Sequence, residues 1–103
     1  MSRYPLIERP LEINGCTLRN RIVRAAHGTL LAFPNGFVIG DDLIAYHVKR
    51  AQEGVALSIL ETANVHPSSF GAIQAFLPGN DDGWHRIATA CNAEGMKVFQ
   101  QLY

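Results

Sequence analysis

The hydrophobic pattern near the start of the chain alternates with a period of two. Residues 11–13 (LEI) and 16–18 (CTL) alternate apolar and polar side chains, and Asn14-Gly15 stands between them. Asn-Gly is typical of a two-residue hairpin turn, because both positions accept positive φ angles. The pattern therefore predicts a β-hairpin over about residues 11–18.

Three later apolar runs predict longer strands, at about residues 21–26, 55–61 and 96–102. The first contains Ile22-Val23, a β-branched pair that suits a buried strand. The second is almost continuously apolar, which is typical of a parallel strand that is buried on both faces.

Between these strands, apolar residues recur at helical spacing and predict helices over about residues 42–53 and 82–94. A glycine follows each helix, at Gly54 and Gly95, as a C-terminal stop. Asp41 or Asp42 is expected to cap the first helix, and Asp81 or Asp82 to start the second. The side chains expected to be buried against the sheet are Ile44, Val48, Ala51, Trp84, Ile87 and Cys91.

The order of elements is a hairpin followed by β-α-β-α-β, which indicates an α/β fold class with parallel strands and right-handed connections. From the residues alone, this order fits either a doubly wound sheet or part of a (β/α)8 barrel. The connection from residue 65 to about residue 81 is long, and its length favours a functional loop over a plain connector.

Composition excludes several classes of protein. The 103 residues carry nine basic and nine acidic side chains, which argues against a nucleic-acid binder, since phosphate backbones need a basic face. No segment has the layout of a signal peptide or the apolar length of a membrane-spanning helix. Cys16 and Cys91 lie far apart, which favours two reduced thiols in a cytoplasmic protein over a disulfide. The histidines show no metal-ligand spacing, so no metal site is predicted.

Three ordered blocks of the sequence resemble the old yellow enzyme family, the FMN-dependent NADH:flavin oxidoreductase / NADH oxidase proteins. The blocks are residues 18–28 (LRNRIVRAAHG), residues 50–57 (RAQEGVAL) with 61–67 (ETANVHP), and residues 83–103. Ala26 stands where the family pattern has a proline. His27 in place of the usual methionine resembles the amine-oxidising branch, typified by trimethylamine dehydrogenase.

The resemblance implies that residues 1–103 are the N-terminal fragment of an FMN-binding (β/α)8 TIM barrel, with the hairpin at the bottom. It also implies six flavin-facing residues, here called the strand-end set: Ala25, Ala26, His27, Gly28, Thr62 and Gln101. Small residues let a ring approach the backbone, and a glutamine amide both donates and accepts hydrogen bonds along the flavin edge. Gly28 stands where the amine branch has a cysteine bonded to flavin, so the FMN is expected to be non-covalent.

The activity implied by the family is hydride transfer through FMN, to an activated alkene or from an N-methyl amine. Its partners are a small-molecule substrate and NADH or NADPH as the candidate electron donor. The family's proton donor and phosphate-binding residues follow later strands, so the catalytic residues stay unassigned. The alternative is a non-catalytic truncated fragment. The chain alone is expected to hold FMN weakly, and to self-associate or to need the remainder of the barrel.

Without the resemblance, the sequence leaves two roles open for several side chains. His27 fits either a catalytic ring or a neutral, hydrogen-bonded one. Gln101 fits a ligand contact or an ordinary inward-facing polar residue. Glu61 ends a buried run, where its carboxylate is expected to bind backbone groups or Arg24.

Overall fold

The structure is a computed structural model that describes residues 3–103. The predicted hairpin is confirmed: β1 (Leu11–Ile13) pairs antiparallel with β2 (Cys16–Leu18). Asn14 and Gly15 have φ angles of 45° and 84°, the conformation that a tight hairpin turn of this type requires.

The main sheet is parallel, which confirms the predicted α/β fold class. It contains β3 (Val23–Arg24), β4 (Leu57–Asn64), β5 (Ile73–Gln74) and β6 (Lys97–Leu102). Strands β3 and β6 pair with the same residues of β4, so β4 lies between them. The short β5 continues the β3 edge, beside the last two residues of β4.

Helices α1 (Asp41–Gln52) and α2 (Asn80–Ala93) pack together on one face of this sheet. Their buried side chains join those of β4 in the main core, whose large members include Leu43, Leu60, Ile73, Ile87 and Met96. A second cluster, built on Leu18, Ala56 and Leu57, packs the hairpin against the start of β4. Within residues 3–103, no helix combines the length and the apolar character needed to cross a membrane.

The prediction of a buried strand over residues 21–26 is wrong in length and in exposure. Only Val23–Arg24 forms a strand, and the side chains of Ile22 and Val23 are 46% and 44% exposed. Strand β3 pairs only with β4 among the described residues, so its other edge is open. The middle strand, predicted at 55–61, starts two residues later and extends to Asn64.

The helices also differ from the predictions in detail. The expected aspartate caps are wrong: Gly40 and Gly79 occupy the N-cap positions without a side-chain bond, and the aspartates lie in the first turns. The second helix begins at Asn80 because the Asn80 side chain is buried, where Oδ1 accepts from the Ile39 amide and Nδ2 donates to the Gln74 carbonyl. Ala51, Ile87 and Cys91 are buried as predicted, whereas Ile44, Val48 and Trp84 are only partly buried.

Arg19 joins both helices at the amino-terminal end of the sheet. Its guanidinium donates to the carbonyl oxygens of Ala51 and Val55, at 2.6 and 2.8 Å, and to that of Glu94 at 2.8 Å. These carbonyls lie at or just beyond the carboxyl ends of α1 and α2, where the helix dipole favours a positive charge. Arg19 therefore holds the carboxyl ends of both helices at the amino-terminal end of the sheet.

Candidate functional site at the carboxyl ends of the strands

The parallel strands bring the strand-end set to one edge of the sheet. Residues 25–28 follow β3, Thr62 lies near the end of β4, and Gln101 is the penultimate residue of β6. The ends of β4 and β6 are joined by backbone bonds between Ala63 and Tyr103 and between Val65 and Tyr103, at 2.9 and 3.1 Å. Ligands of parallel α/β sheets bind at this edge.

Residues 27 and 28 present free backbone N–H groups at this edge. Within residues 3–103, the N–H groups of His27 and Gly28 donate to no acceptor, and both residues are exposed. A Cβ atom added to Gly28 would meet no heavy atom within 4 Å, so the protein's own packing does not require glycine there. Exposed donors beside open space can approach a ligand closely.

The imidazole of His27 is held against its own strand. Arg24 Nη2 lies 3.1 Å from His27 Nε2, and His27 Nδ1 lies 3.3 Å from the Ala25 carbonyl oxygen. Because a guanidinium can only donate, these contacts assign the ring proton to Nδ1, which donates to Ala25. The ring is therefore hydrogen-bonded and exposed, with both nitrogens engaged.

Arg24 belongs to a cationic cluster on the helix side of the sheet. The guanidinium carbons of Arg24 and Arg50 lie 5.0 and 4.3 Å from the centre of the Tyr46 ring. Hydrogen bonding from Arg24, reinforced by Arg50, lowers the pKa of the Tyr46 hydroxyl. Burial lowers the pKa of the neighbouring His47 to about 4, and the charges of the two arginines add to the effect. His47 Nδ1 bonds the Ser58 hydroxyl at 2.8 Å, so its role is structural.

The two adjacent glutamines of β6 point to opposite faces. Gln100 faces the helices, where Oε1 accepts from Trp84 Nε1 at 2.8 Å and Nε2 donates to the Glu61 carbonyl at 2.7 Å. Because side chains alternate along a strand, Gln101 points to the face without helices, and it is exposed. This is the orientation that a flavin contact needs, and contact itself stays a prediction.

Thr62 lies at a pocket that the sequence did not predict, here called the aromatic pocket. The pocket has a volume of about 440 Å³ and is lined by Leu30, Phe33, Phe37, Thr62, Phe70, Gly71 and Ala72. The Thr62 hydroxyl accepts a bond from the Ala72 amide at 3.3 Å. The long connection after β4, predicted to be a functional loop, contributes Phe70, Gly71 and Ala72 to the pocket and also contains β5.

Glu61 fixes the segment that leads into this pocket. Its carboxylate is buried and accepts from the Thr29 amide at 3.1 Å and from the Thr29 hydroxyl at 2.8 Å. The expected backbone contact therefore exists, while the alternative contact with Arg24 is wrong. A carboxylate at the end of a buried strand signals that donors must lie nearby, since an unpaired buried charge is costly. The sequence did not identify Thr29 as the donor.

The residues at this edge fit an FMN ring. They offer free N–H donors at residues 27 and 28, no side chain at Gly28, and the exposed amide of Gln101 on the uncovered face. A flavin presents both donors and acceptors at its edge, and an amide can satisfy either kind. Within residues 3–103, no group of three or more His, Cys, Asp or Glu side chains is arranged to hold a metal ion.

Known proteins resemble this chain in sequence and in fold. The model of the NADH:flavin oxidoreductase / NADH oxidase family matches residues 7–103. An NADH oxidase of Thermoanaerobacter brockii is 34% identical over 107 residues, which cover 100% of this chain and 16% of that protein. A 4,4'-dithiodibutanoate disulfide reductase of Rhodococcus erythropolis is 32% identical over 106 residues, which cover 95% of this chain and 24% of that protein.

A solved structure shows the same arrangement of strands and helices. The old yellow enzyme from Trypanosoma cruzi has a TM-score of 0.85 and 28% identity, and the match covers 98% of this chain and 27% of that one. The chain thus spans between 16% and 27% of the length of these three relatives. It belongs to the NADH:flavin oxidoreductase / NADH oxidase family, and its fold is that of the N-terminal part of an old yellow enzyme barrel.

Proposed function

We propose that this chain forms the flavin-ring face of an FMN-dependent oxidoreductase that binds FMN without a covalent bond. The observation that carries the proposal is the position of the strand-end set at one edge of a parallel sheet, where Gln101 points to the face that no described helix covers. Membership of the FMN-dependent family supports the same cofactor. When bound, FMN supplies the ring that accepts and donates hydride.

Each member of the strand-end set has a distinct proposed task. The N–H groups of His27 and Gly28 donate to the flavin ring, and the small side chains of Ala25 and Ala26 let the ring lie against the strand end. The amide of Gln101 bonds the ring edge. Thr62 closes one side of the ring site, next to the aromatic pocket.

The proposed reaction is hydride transfer through FMN, with a small-molecule substrate and NADH or NADPH as electron donor. The substrate is either an activated alkene or an N-methyl amine. By the family resemblance, His27 favours the amine branch, and Thr62 weakens that preference because trimethylamine dehydrogenase has an aromatic residue there. The relatives support a redox reaction of this kind, since their names describe an NADH oxidase and a disulfide reductase.

The alternative is that the chain has no independent activity, and three observations favour this for residues 1–103 taken alone. The face without helices exposes Val23 and Phe99, which in water favours self-association. The first turns of α1 and α2 carry aspartates, which repel the FMN phosphate from both helix N-termini. The match also spans less than a third of each relative.

Titration of the purified 103-residue chain with FMN, followed by flavin fluorescence together with sedimentation, tests both proposals. We expect weak binding and a mixture of association states. A monodisperse monomer that binds FMN below micromolar concentration would contradict the proposal that the chain alone holds FMN weakly. Complete absence of binding at millimolar FMN would contradict the assignment of the strand-end set to the flavin.

A further inference from the structure

We propose that Asn14 is a site of spontaneous deamidation, and that the isoaspartyl product releases the β1–β2 hairpin from the core. The site lies at the amino-terminal end of the sheet, away from the strand-end set. The inference goes beyond the proposed function and does not depend on it, because the modification needs neither flavin nor substrate.

The chain contains two Asn-Gly pairs, Asn14-Gly15 and Asn35-Gly36. Asparagine is a thermolabile residue, and a following glycine leaves its side-chain amide open to attack because glycine has no side chain to hinder the approach. All four residues are exposed, so water reaches both pairs. Accessibility alone therefore does not distinguish the two pairs.

Hydrogen bonds protect the second pair. The Asn35 side-chain amide donates from Nδ2 to the Val38 carbonyl at 2.9 Å, and the Gly36 N–H donates to the Phe33 carbonyl at 3.1 Å. The two groups that would react with each other are thus both held within one 3-10 turn. Reaction at Asn35 requires that both hydrogen bonds break.

Neither reacting group is held at Asn14. Within residues 3–103, the Asn14 side chain and the Gly15 N–H make no hydrogen bond. The adjoining strands have three residues each, and Glu12 and Ile13 beside the turn are exposed. A short, exposed hairpin end opens locally at little cost in free energy, which lets the Asn14 side chain reach the Gly15 nitrogen.

The reaction at Asn14 consumes only water. The Gly15 nitrogen forms a bond to Asn14 Cγ, the bond between Cγ and Nδ2 breaks, and ammonia leaves with the proton of the Gly15 amide. Water then adds to either carbonyl of the resulting cyclic imide and opens it. The product is an aspartyl or an isoaspartyl residue at position 14, and nothing is oxidised or reduced.

The two products differ in how they fit the turn. An aspartyl residue before glycine also favours this type of turn, so the hairpin is retained. An isoaspartyl residue carries the main chain through the side-chain methylene and lengthens the turn by one carbon. Because the turn sets the register of a hairpin, the pairings of Leu11 with Leu18 and of Ile13 with Cys16 are lost.

The register of the hairpin places its apolar residues in the second cluster. Leu18 is fully buried there with Ala56 and Leu57, and Leu11 packs against the same cluster. Arg19, which binds the ends of both helices, follows Leu18 directly. Loss of the register therefore exposes Leu18 to water and weakens the attachment of the hairpin to the sheet.

Incubation of the 103-residue chain at mildly alkaline pH, followed by peptide mass mapping, tests the modification. We expect Asn14 to convert at least about tenfold faster than Asn35, since Asn35 must first lose two hydrogen bonds. In concentrated urea the two rates should agree within about twofold, because the folded structure no longer protects Asn35. Equal rates in buffer, or the same difference in urea as in buffer, would overturn the inference.

Variants and products test the consequence for the hairpin. Asn14→Gly keeps a residue that accepts a positive φ but has no amide to lose, so it should abolish conversion at position 14 and leave Asn35 unchanged. Asn14→Asp is the matched control for the aspartyl product and should keep the hairpin amides protected from hydrogen exchange.

The isoaspartyl form, identified by labelling with an isoaspartyl methyltransferase, should exchange the amides of residues 11–18 at least about tenfold faster than Asn14→Asp does. An isoaspartyl form that protects these amides as well as Asn14→Asp does would overturn the inference.

Discussion

The two ends of the parallel sheet differ in whether their polar groups are hydrogen-bonded within the protein. At the amino-terminal end, Arg19 makes three hydrogen bonds and Asn20 makes two, one to the Gly54 carbonyl and one from the Ile22 amide. At the carboxyl end, His27 and Gly28 have unbonded N–H groups within residues 3–103. One end is bonded internally, and the other leaves groups available to a ligand.

The sequence motif of residues 18–28 has one half at each end of the sheet. Residues 18–20 are buried or bonded to the helix ends, and so they specify how the helices sit on the sheet. At residues 25–28, the His27 ring is bonded to Arg24 and Ala25, but the N–H groups of His27 and Gly28 make no bond within residues 3–103 and Gly28 packs against nothing. In this motif of a flavoprotein family, residues 18–20 therefore form a structural half, and residues 25–28 form a half that is free to bind a ligand.

The largest expected effect on stability is at the structural half. Arg19→Ala should lower the free energy of unfolding by about 3 kcal/mol, because it removes charge-assisted bonds to carbonyls at the ends of both helices. Arg21→Ala is the control, since the Arg21 guanidinium makes no bond within residues 3–103, and it should change stability by less than about 0.5 kcal/mol. Urea unfolding measures both, and equal effects would contradict the structural assignment.

A smaller effect is expected from His47, which lies between α1 and β4. Its pKa is about 4 in the fold, chiefly because burial penalises the charged ring, and Arg24, Arg50 and His27 add repulsion. The unfolded chain, with a pKa of about 6.5, binds more protons, so stability falls as pH decreases below 6.5 toward 4. Between pH 6.5 and pH 5, this loss should be about 1.5 kcal/mol.

The His47→Gln variant separates the loss of stability caused by His47 from that caused by other titrating groups. The substituted amide side chain does not titrate, so the stability of the variant should change less over the same pH range than that of the unmodified chain. The measurement is the difference between the two curves of unfolding free energy against pH. Parallel curves would show that His47 does not cause the loss.

The next smaller effect on stability is expected from substitutions of two glycines. One glycine lies in the packed interior and the other at the carboxyl end of the sheet. In Gly83→Ala, the new Cβ would lie 2.7 Å from Ile39 Cβ, and the clash should cost about 1–2 kcal/mol after the gain in helix propensity. In Gly28→Ala, the Cβ would meet nothing, so stability should change by less than about 0.5 kcal/mol. FMN binding should weaken only in Gly28→Ala, and similar losses of stability in both variants would contradict the contrast.

The sequence predicts those parts of the fold that depend on local patterns of apolar, polar and turn residues. The hairpin follows from Asn14-Gly15, and the parallel order of strands and helices follows from the alternation of apolar periods. The start of α2 differs from the prediction because contacts between distant residues fix it. Asn80, for example, is bound to Ile39, which is 41 residues away.

The site was predicted only in part for the same reason. The family pattern located the strand-end set, and alternation along β6 explains why Gln101 and not Gln100 points to the uncovered face. The aromatic pocket had no signal in the sequence, because Phe33, Phe37 and Phe70 come from two separate loops. Positive φ angles at Leu30 and Phe37 cannot be inferred from residue types that rarely adopt them.

We propose that FMN binds at the carboxyl end of the sheet and not at the amino-terminal end. Mapping of amide chemical shifts during titration with FMN to millimolar concentration tests it most directly. We predict shifts at residues 27, 28, 62 and 101, none at residues 20, 54 and 95, and weaker binding in Gln101→Leu at unchanged stability. Shifts confined to residues 20, 54 and 95, or no shifts at any residue, would contradict it.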